Sequence, residues 1–317
     1  MSILLREQEQ VIALKTESAY GTDATPTGAN ALLVHDISIT ALDGDVSKLN
    51  NLVGFLGNQG SVRINSYCRV DFKVYLVGAG TGNVDVPPHY AALYDIASHA
   101  DVVTADTSVD YTLVDTDVDS GSLYYLAKEH LHAILGVRGS VKWMFSTTGL
   151  PYLQFTGMGL YVEPVKQGGG LSGVNFAAVP KPLKWTKQTV PVLTLHGEAL
   201  DGESLEIDQG QPVEYHGLIQ TEEVLHGSRN ATLKVTIREP DIASKNWFAA
   251  AEQNAFGGFA LQHGVDVTHE GRIFEFAAPR AQLTNCERSF IKGAAHLTLT
   301  ADLVATAPGN DYSFASR

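Results

Sequence analysis

His269-Glu270 opens like the helix of a zinc protease, in which a second histidine completes the metal pair and the glutamate activates water. Position 273 is Ile, so the ligand set stops at one imidazole. Asp115-Thr-Asp117-Val-Asp119 has the alternating carboxylates of a calcium loop. The turn glycine falls at Gly121 rather than at Ser120, and Leu126 stands where a bidentate carboxylate is needed. His130 and His132 share one side of a strand, but two imidazoles make only an adventitious site and read better as structural. Glu222-Glu223 cannot act on one substrate, because adjacent strand residues face opposite ways. Asn230-Ala-Thr232 fits a glycosylation acceptor, yet with no secretion signal it reads as strand-edge sequence. Neither a phosphate-cradling Gly-x-x-x-x-Gly-Lys nor a Gly-x-Ser-x-Gly elbow occurs. The expectation is a protein that is not an enzyme and holds no cofactor or metal.

Composition narrows the class further. The 317 residues are 44% apolar and carry 35 acidic against 22 basic side chains, a net charge of -13. That balance disfavours a nucleic-acid reader or a protein that docks on anionic membrane, since both need clustered Lys and Arg. No apolar run approaches the ~18–20 residues of a membrane span. The opening MSILLREQEQ has the wrong charge order for a secretory signal. Cys68 and Cys286 offer no disulfide framework, and a reducing cytosol is the expected place of synthesis. Residues 1–165 hold 18 acidic and 9 basic side chains, residues 166–317 hold 17 and 13. No Lys or Arg lies between Lys73 and Lys128, a stretch with eight aspartates from Asp85 to Asp119. Solvated turns are the simple reading of that run; a surface that repels another polyanion is the functional one.

The elements that must position these residues are mostly strands. Val70, Phe72, Val74 and Leu76 alternate with Arg69, Asp71, Lys73 and Tyr75; Leu233, Val235 and Ile237 alternate with Thr232, Lys234 and Thr236. Such period-two patterns are half-buried antiparallel strands. Each half also has one short helix. Tyr90, Leu93, Tyr94 and Ala97 follow Pro87-Pro88, and Trp247, Phe248 and Ala251 lie between a Ser244 cap and a Gly257-Gly258 stop. A Pro/Gly/Lys-rich segment over 166–191 divides a first domain, with its N-terminal arm, at 1–165 from a second at 192–317. Strand, long loop, strand, helix and late strands recur in the same order on both sides. Lys73-Val74-Tyr75-Leu76 falls over Lys234-Val235-Thr236-Ile237, so the chain reads as a domain made twice.

The N-terminal run Lys15-Thr-Glu17-Ser-Ala-Tyr20-Gly21-Thr-Asp23-Ala-Thr-Pro26-Thr resembles the opening of the major tail tube proteins of long-tailed (siphovirus-type) bacteriophages. The similarity continues at Leu56-Gly57-Asn58-Gln59-Gly60, Leu135-Gly136-Val137-Arg138-Gly139, Val213-Glu214-Tyr215 and Ala277-Ala278-Pro279-Arg280, across nearly the whole chain. The resemblance implies a mainly β fold with a minor helical part (α+β): two tandem β-sandwich or rolled-sheet domains whose copies close into a barrel around a lumen. Rings of such subunits stack into the virion tail, assembled in the host bacterial cytoplasm, and DNA passes through them at ejection without specific binding. The expected partners are further copies of the chain, the tape measure protein, and the tail terminator and distal tail proteins.

Lys15, Glu17, Tyr20, Gly21 and Pro26 are then candidates for an arm that contacts a neighbouring ring. Leu56, Asn58, Gln59, Val213, Glu214 and Tyr215 belong to loops that contact neighbours. Arg69, Asp71, Lys73, Thr232, Lys234 and Thr236 are candidates for a lumen wall that is neutral or acidic, with Lys73 and Lys234 each balanced by carboxylates. A duplicated chain predicts three copies per ring in place of six. Two other readings stand beside this one. One is a carbohydrate- or receptor-binding β-sandwich with Trp185 or Tyr124-Tyr125 as its platform; the other is the tube of a tail-like bacteriocin or secretion system.

Overall fold

The computed structural model describes residues 9–266 and 268–317. In chain order the strands are β1 (Gln10–Thr16), β2 (Ala31–Leu32), β3 (Val34–Asp43), β4 (Val46–Lys48), β5 (Ser61–Arg63) and β6 (Tyr67–Tyr75). Helix α1 (Ala92–Asp95) precedes β7 (His99–Thr104), β8 (Ser108–Leu113), β9 (Gly121–Ala127), β10 (His130–Ser146), β11 (Tyr152–Tyr161) and β12 (Val165–Lys166). There follow β13 (Val192–Leu195), β14 (Glu198–Ala199), β15 (Gly202–Asp208), β16 (Val213–Gly217), β17 (Glu222–His226) and β18 (Thr232–Arg238). Helix α2 (Trp247–Glu252) leads to β19 (Phe256–His263), β20 (Phe274–Ile291), β21 (Ala294–Leu303) and β22 (Ser313–Ser316). The fold is mainly β.

Two long bent strands organise everything else. The C-terminal part of β10 pairs with β11 on one side and β15 on the other, while its N-terminal part turns away to pair with β9. The bend is a bulge, where the registers with β9 and β11 both shift around Gly136. Gly136 has φ +58, and a Cβ there would meet the Tyr20 ring at 2.7 Å. A residue without a side chain is what both the backbone and the close approach require. Likewise β20 gives its second part to β21 and its first part to β19 and β22.

The result is a row of eight antiparallel strands, β3-β6-β11-β10-β15-β18-β21-β20. Behind it lies a second layer, with β1 on β9, β13 on β19 and β8 on β22. Strand order repeats between the halves. β3-β6-β11-β10-β9-β1 in the first is matched by β15-β18-β21-β20-β19-β13 in the second. Among the described residues no ladder returns from β20 to β3, so the row is open at both ends.

The core fills the space between the layers. Phe72, Trp143 and Phe155 are 0% exposed, each contributing about 1.5–3 kcal/mol by burial. The α1 face proposed from spacing is buried throughout, at Tyr90, Leu93, Tyr94 and Ala97, although only Ala92–Asp95 is α-helical. Bonds from Leu93 to Tyr90 and from Ala97 to Tyr94 tighten its flanks into three-residue turns. Helix α2 is capped by Asn246, whose Oδ1 accepts from the Ala249 N–H at 3.0 Å, and not by Ser244. Asn254, at φ +49, makes the turn after it, and Gly257-Gly258 lie inside β19.

Residues 9–32 differ most from expectation. They read as an arm with little periodicity, yet β1 pairs along its whole length with β9 and sinks Ile12, Ala13 and Leu14 into the core. Three consecutive buried residues arise because this strand is covered on both faces, which hides the alternation that a half-exposed strand shows.

Candidate assembly surfaces

Glu17 is buried at 8% exposure and is the fixed point of the N-terminal segment. Its Oε2 accepts from the Gly21 N–H at 2.8 Å and the Ser120 hydroxyl at 2.7 Å. Its Oε1 accepts from the Ser122 hydroxyl and the Gly136 N–H, both at 2.8 Å. Four donors within one chain satisfy a desolvated carboxylate. Tyr20 reaches the other half: its hydroxyl accepts from the Val224 N–H at 2.6 Å, and the Arg138 guanidinium lies 4.9 Å from its ring centre. Burial holds the Tyr20 hydroxyl above its ordinary pKa. Gly21 turns the chain at φ +70 and Pro26 is buried. Of these residues, Lys15 is the one that stands exposed.

The two loop hairpins behave differently. β16 and β17 pair with each other and lie on the first half of the same chain. Tyr215 stacks on Tyr67 at 5.2 Å, Arg138 donates to the Val224 carbonyl at 2.9 Å, and His226 Nε2 meets the Gly139 carbonyl at 3.0 Å. Val213 is half-buried there and Glu214 is exposed. β4 and β5 pair with each other and carry an apolar tip into solvent, with Leu52 105%, Phe55 72% and Leu56 103% exposed. The tip is nevertheless shaped: Gln59 bonds both the N–H and the carbonyl of Asn51, and Asn58 accepts from the Gly60 N–H. Soluble proteins rarely leave so much apolar surface bare in one place.

The polar side of the eight-strand row carries paired charge. Lys73 Nζ is 3.0 Å from Asp36, Arg69 Nε is 2.6 Å from Asp43, and Asp71 accepts from Gln154 and Thr156. Lys142 lies between Glu206 at 2.9 Å and Asp208 at 2.8 Å. Thr236 meets Thr298 at 3.3 Å. Lys234 is exposed and stands opposite Glu206 in register, while Thr232 faces Asp208 and Asp302. Sequence reasoning placed Arg69, Asp71 and Lys73 on this face; it missed Lys142, Glu206 and Asp208, whose strands alternate just as clearly. The aspartate run sits elsewhere, from the loop before α1 and Asp95 in that helix through the β7–β8 hairpin to the turns behind it.

Other sequence candidates find ordinary surroundings. Trp185 is 4% exposed and packs on Phe145 at 4.8 Å, and Tyr124 is 8% exposed, so neither offers a sugar platform. His132 packs beside Tyr125 and His130 is exposed. Among the described residues no three His, Cys, Asp or Glu converge on a metal position, and no helix is long and apolar enough to cross a membrane.

A two-layer β fold with an open polar row, structured apolar loops and internally satisfied carboxylates has the features of a structural protein. Residues 7–305 match the family described as phage tail tube protein. The chain belongs to that family, and its role is that of a structural component of a phage tail. No curated protein matches the chain.

Proposed function

We propose that three copies close their eight-strand rows into one ring with pseudo-sixfold symmetry, and that stacked rings form the channel for DNA ejection in a siphovirus-type tail. The observation that carries this reading is the open row itself. β3, and β20 beyond Gln282, each leave one edge without a ladder partner among the described residues, and exposed edges of that length are normally paired or covered.

Strand number argues for three copies. Eight strands enclose a space that their own side chains fill, and sixteen give a porin-like pore roughly 32 Å across between backbones, which inward side chains narrow to about the width of a bare duplex. Twenty-four strands at ~4.8 Å spacing and ~40° tilt give a wall roughly 45–50 Å across between backbones. The repeated strand order of the halves supports reading residues 1–165 and 192–317 as two tube domains.

The polar face suits the lumen. Each phosphate neutralised by a free Lys or Arg adds affinity and hence friction, whereas Arg69, Lys73 and Lys142 are already matched by carboxylates. Exposed Leu52 and Leu56, together with Asn58 and Gln59, supply contacts between copies, and Lys15 supplies one between rings. Tape measure protein inside the tube, and terminator and distal tail proteins at its ends, complete the tail. Electron microscopy of the purified protein tests the reading: rings or tubes are expected, and dispersed monomers under all assembly conditions would refute it.

A further inference from the structure

The junction between the two halves of one chain is a template for the junction between two chains, and the argument rests on the ring reading above. The match of Lys73–Leu76 with Lys234–Ile237 aligns β6 with β18, and the ladders carry that alignment outward. Lys234 faces Glu206 and Lys73 faces His35, so His35 holds the position of Glu206. Thr236 faces Thr298 and Tyr75 faces Tyr152, so Thr298 holds the position of Tyr152. Their next partners are Glu287 on β20 and Met144 on β10. Within the chain Met144 and Glu206 face each other across β10 and β15. The equivalent pair is Glu287 and His35, which sit on the two open edges of the row.

We propose that β20 of one copy pairs antiparallel with β3 of a second copy, with Glu287 directly opposite His35 of that copy. The same register sets Asn285 opposite Ser38, as Lys142 is set opposite Asp208 within the chain. Both polar pairs fall on the lumen face. In the single chain Glu287 is exposed and held by Asn285 Nδ2 at 2.9 Å, while the His35 ring is fixed by stacking on Tyr75 at 4.3 Å. On the core face, Phe290, 74% exposed, comes diagonally across from Val34, within reach of an aromatic side chain.

The hairpins follow the same template. β16–β17 leans from β15 and β18 over β10 and β11, where Arg138 receives it. β4–β5 leaves β3 and β6 in the same way but finds no such bed among the described residues of its own chain, its Leu52 and Leu56 being fully exposed. The position of Arg138 is held by Arg280, which is exposed and lies over the Phe256 ring at 4.1 Å. The apolar hairpin of one copy therefore covers Arg280 in the middle of β20 and Phe256 at the start of β19 on the next copy in the same ring.

Cysteine cross-linking tests the register. Directly opposed strand residues have Cβ atoms about 4.5–5.5 Å apart, close enough for a disulfide after small adjustment. In a Cys286→Ala background, tubes of His35→Cys/Glu287→Cys should give, on mild oxidation, a non-reducing ladder that ends at a closed three-chain species. The slipped pair His35→Cys/Arg288→Cys faces opposite sides and should stay monomeric. Normal tubes without the ladder, or a ladder from the slipped pair instead, would overturn the register and leave the ring reading intact. Where the substitutions block assembly, a reconstruction of wild-type tubes reads the same register directly. Cα atoms of Glu287 and His35 about 4.5–5.5 Å apart across the junction support it, and any other pairing refutes it. A protein that forms no rings at all would refute both.

Discussion

The Tyr20 hydroxyl accepts a 2.6 Å hydrogen bond from the Val224 N–H, 204 positions away in sequence. This bond, with the Arg138 guanidinium bridging the Tyr20 ring and the Val224 carbonyl, joins the N-terminal segment, the β10 bulge and the second-half hairpin at one point. The segment that resembles a free arm in sequence is thus a bracket between the two halves.

Tyr20→Phe removes that acceptor and leaves the Val224 N–H unpaired in a partly buried place. The expected cost is about 1–2 kcal/mol, read as a lower denaturant midpoint with an unchanged slope. An unchanged midpoint would mean that water replaces the hydroxyl freely.

Glu17→Ala should be more damaging, because it strands two backbone N–H groups and two serine hydroxyls together. A loss of roughly 3 kcal/mol or more is expected. For the same reason, and because Ile12 and Leu14 are core residues, deleting residues 1–25 should lower thermal stability before any effect on assembly is seen. A truncated chain with the full-length Tm would contradict the bracket.

Two buried imidazoles, two half-buried ones and one half-buried carboxyl set the pH dependence in opposite senses. Burial lowers the pKa of His99 to about 3 and those of His89, His226 and His263 to about 4. Unfolded histidines take up protons below about pH 6.5, so the unfolded state binds more protons there and stability falls from pH 6.5 towards 4. Burial, with Asp101 and Asp119 nearby, raises Asp95 to about 7. Its folded form holds a proton that the unfolded form has lost, so this group alone weakens the fold as pH rises from about 4 to 7. Asp95→Asn should therefore raise Tm by several degrees at pH 8 and leave it unchanged near pH 4. An equal gain at both pH values would remove the ionisation argument.

Much of the row was legible in the sequence, and the reason is its geometry. β6, β18 and β21 have one apolar and one polar face, so Val70/Phe72/Val74 and Leu233/Val235/Ile237 declare themselves by alternation. β1 and β9 are covered on both sides and lose the period that reveals a strand. The partners of Glu17 are backbone groups and serines far along the chain, which no spacing rule finds. The difference between the hairpins was also hidden: both read as long polar loops, and only the bed offered by Arg138 and Tyr67 separates the docked one from the exposed one.

Leu52→Asp/Leu56→Asp should leave the monomer's Tm within about 1 °C, since both side chains are fully exposed and surface changes of this kind shift stability little. Tube yield should fall severalfold, measured by sedimentation of assembled material. Normal yield would mean that the apolar tip contacts nothing in the tube.

Lumen charge has its own readout. Glu206→Gln/Asp208→Asn frees Lys142 from both of its carboxylates, so empty tubes of this variant should retain duplex DNA at low salt and release it as salt rises. Wild-type tubes should retain little at any salt concentration. Equal retention by both would place this face away from the channel.

The most direct measurement is a three-dimensional reconstruction of tubes assembled from the purified chain, with symmetry determined without imposing it. Three chains per ring, each giving eight strands to a continuous wall with Lys73, Lys142 and Lys234 towards the lumen, is the predicted result. Six chains per ring, or a wall in which β3 and β20 remain unpaired, would contradict it.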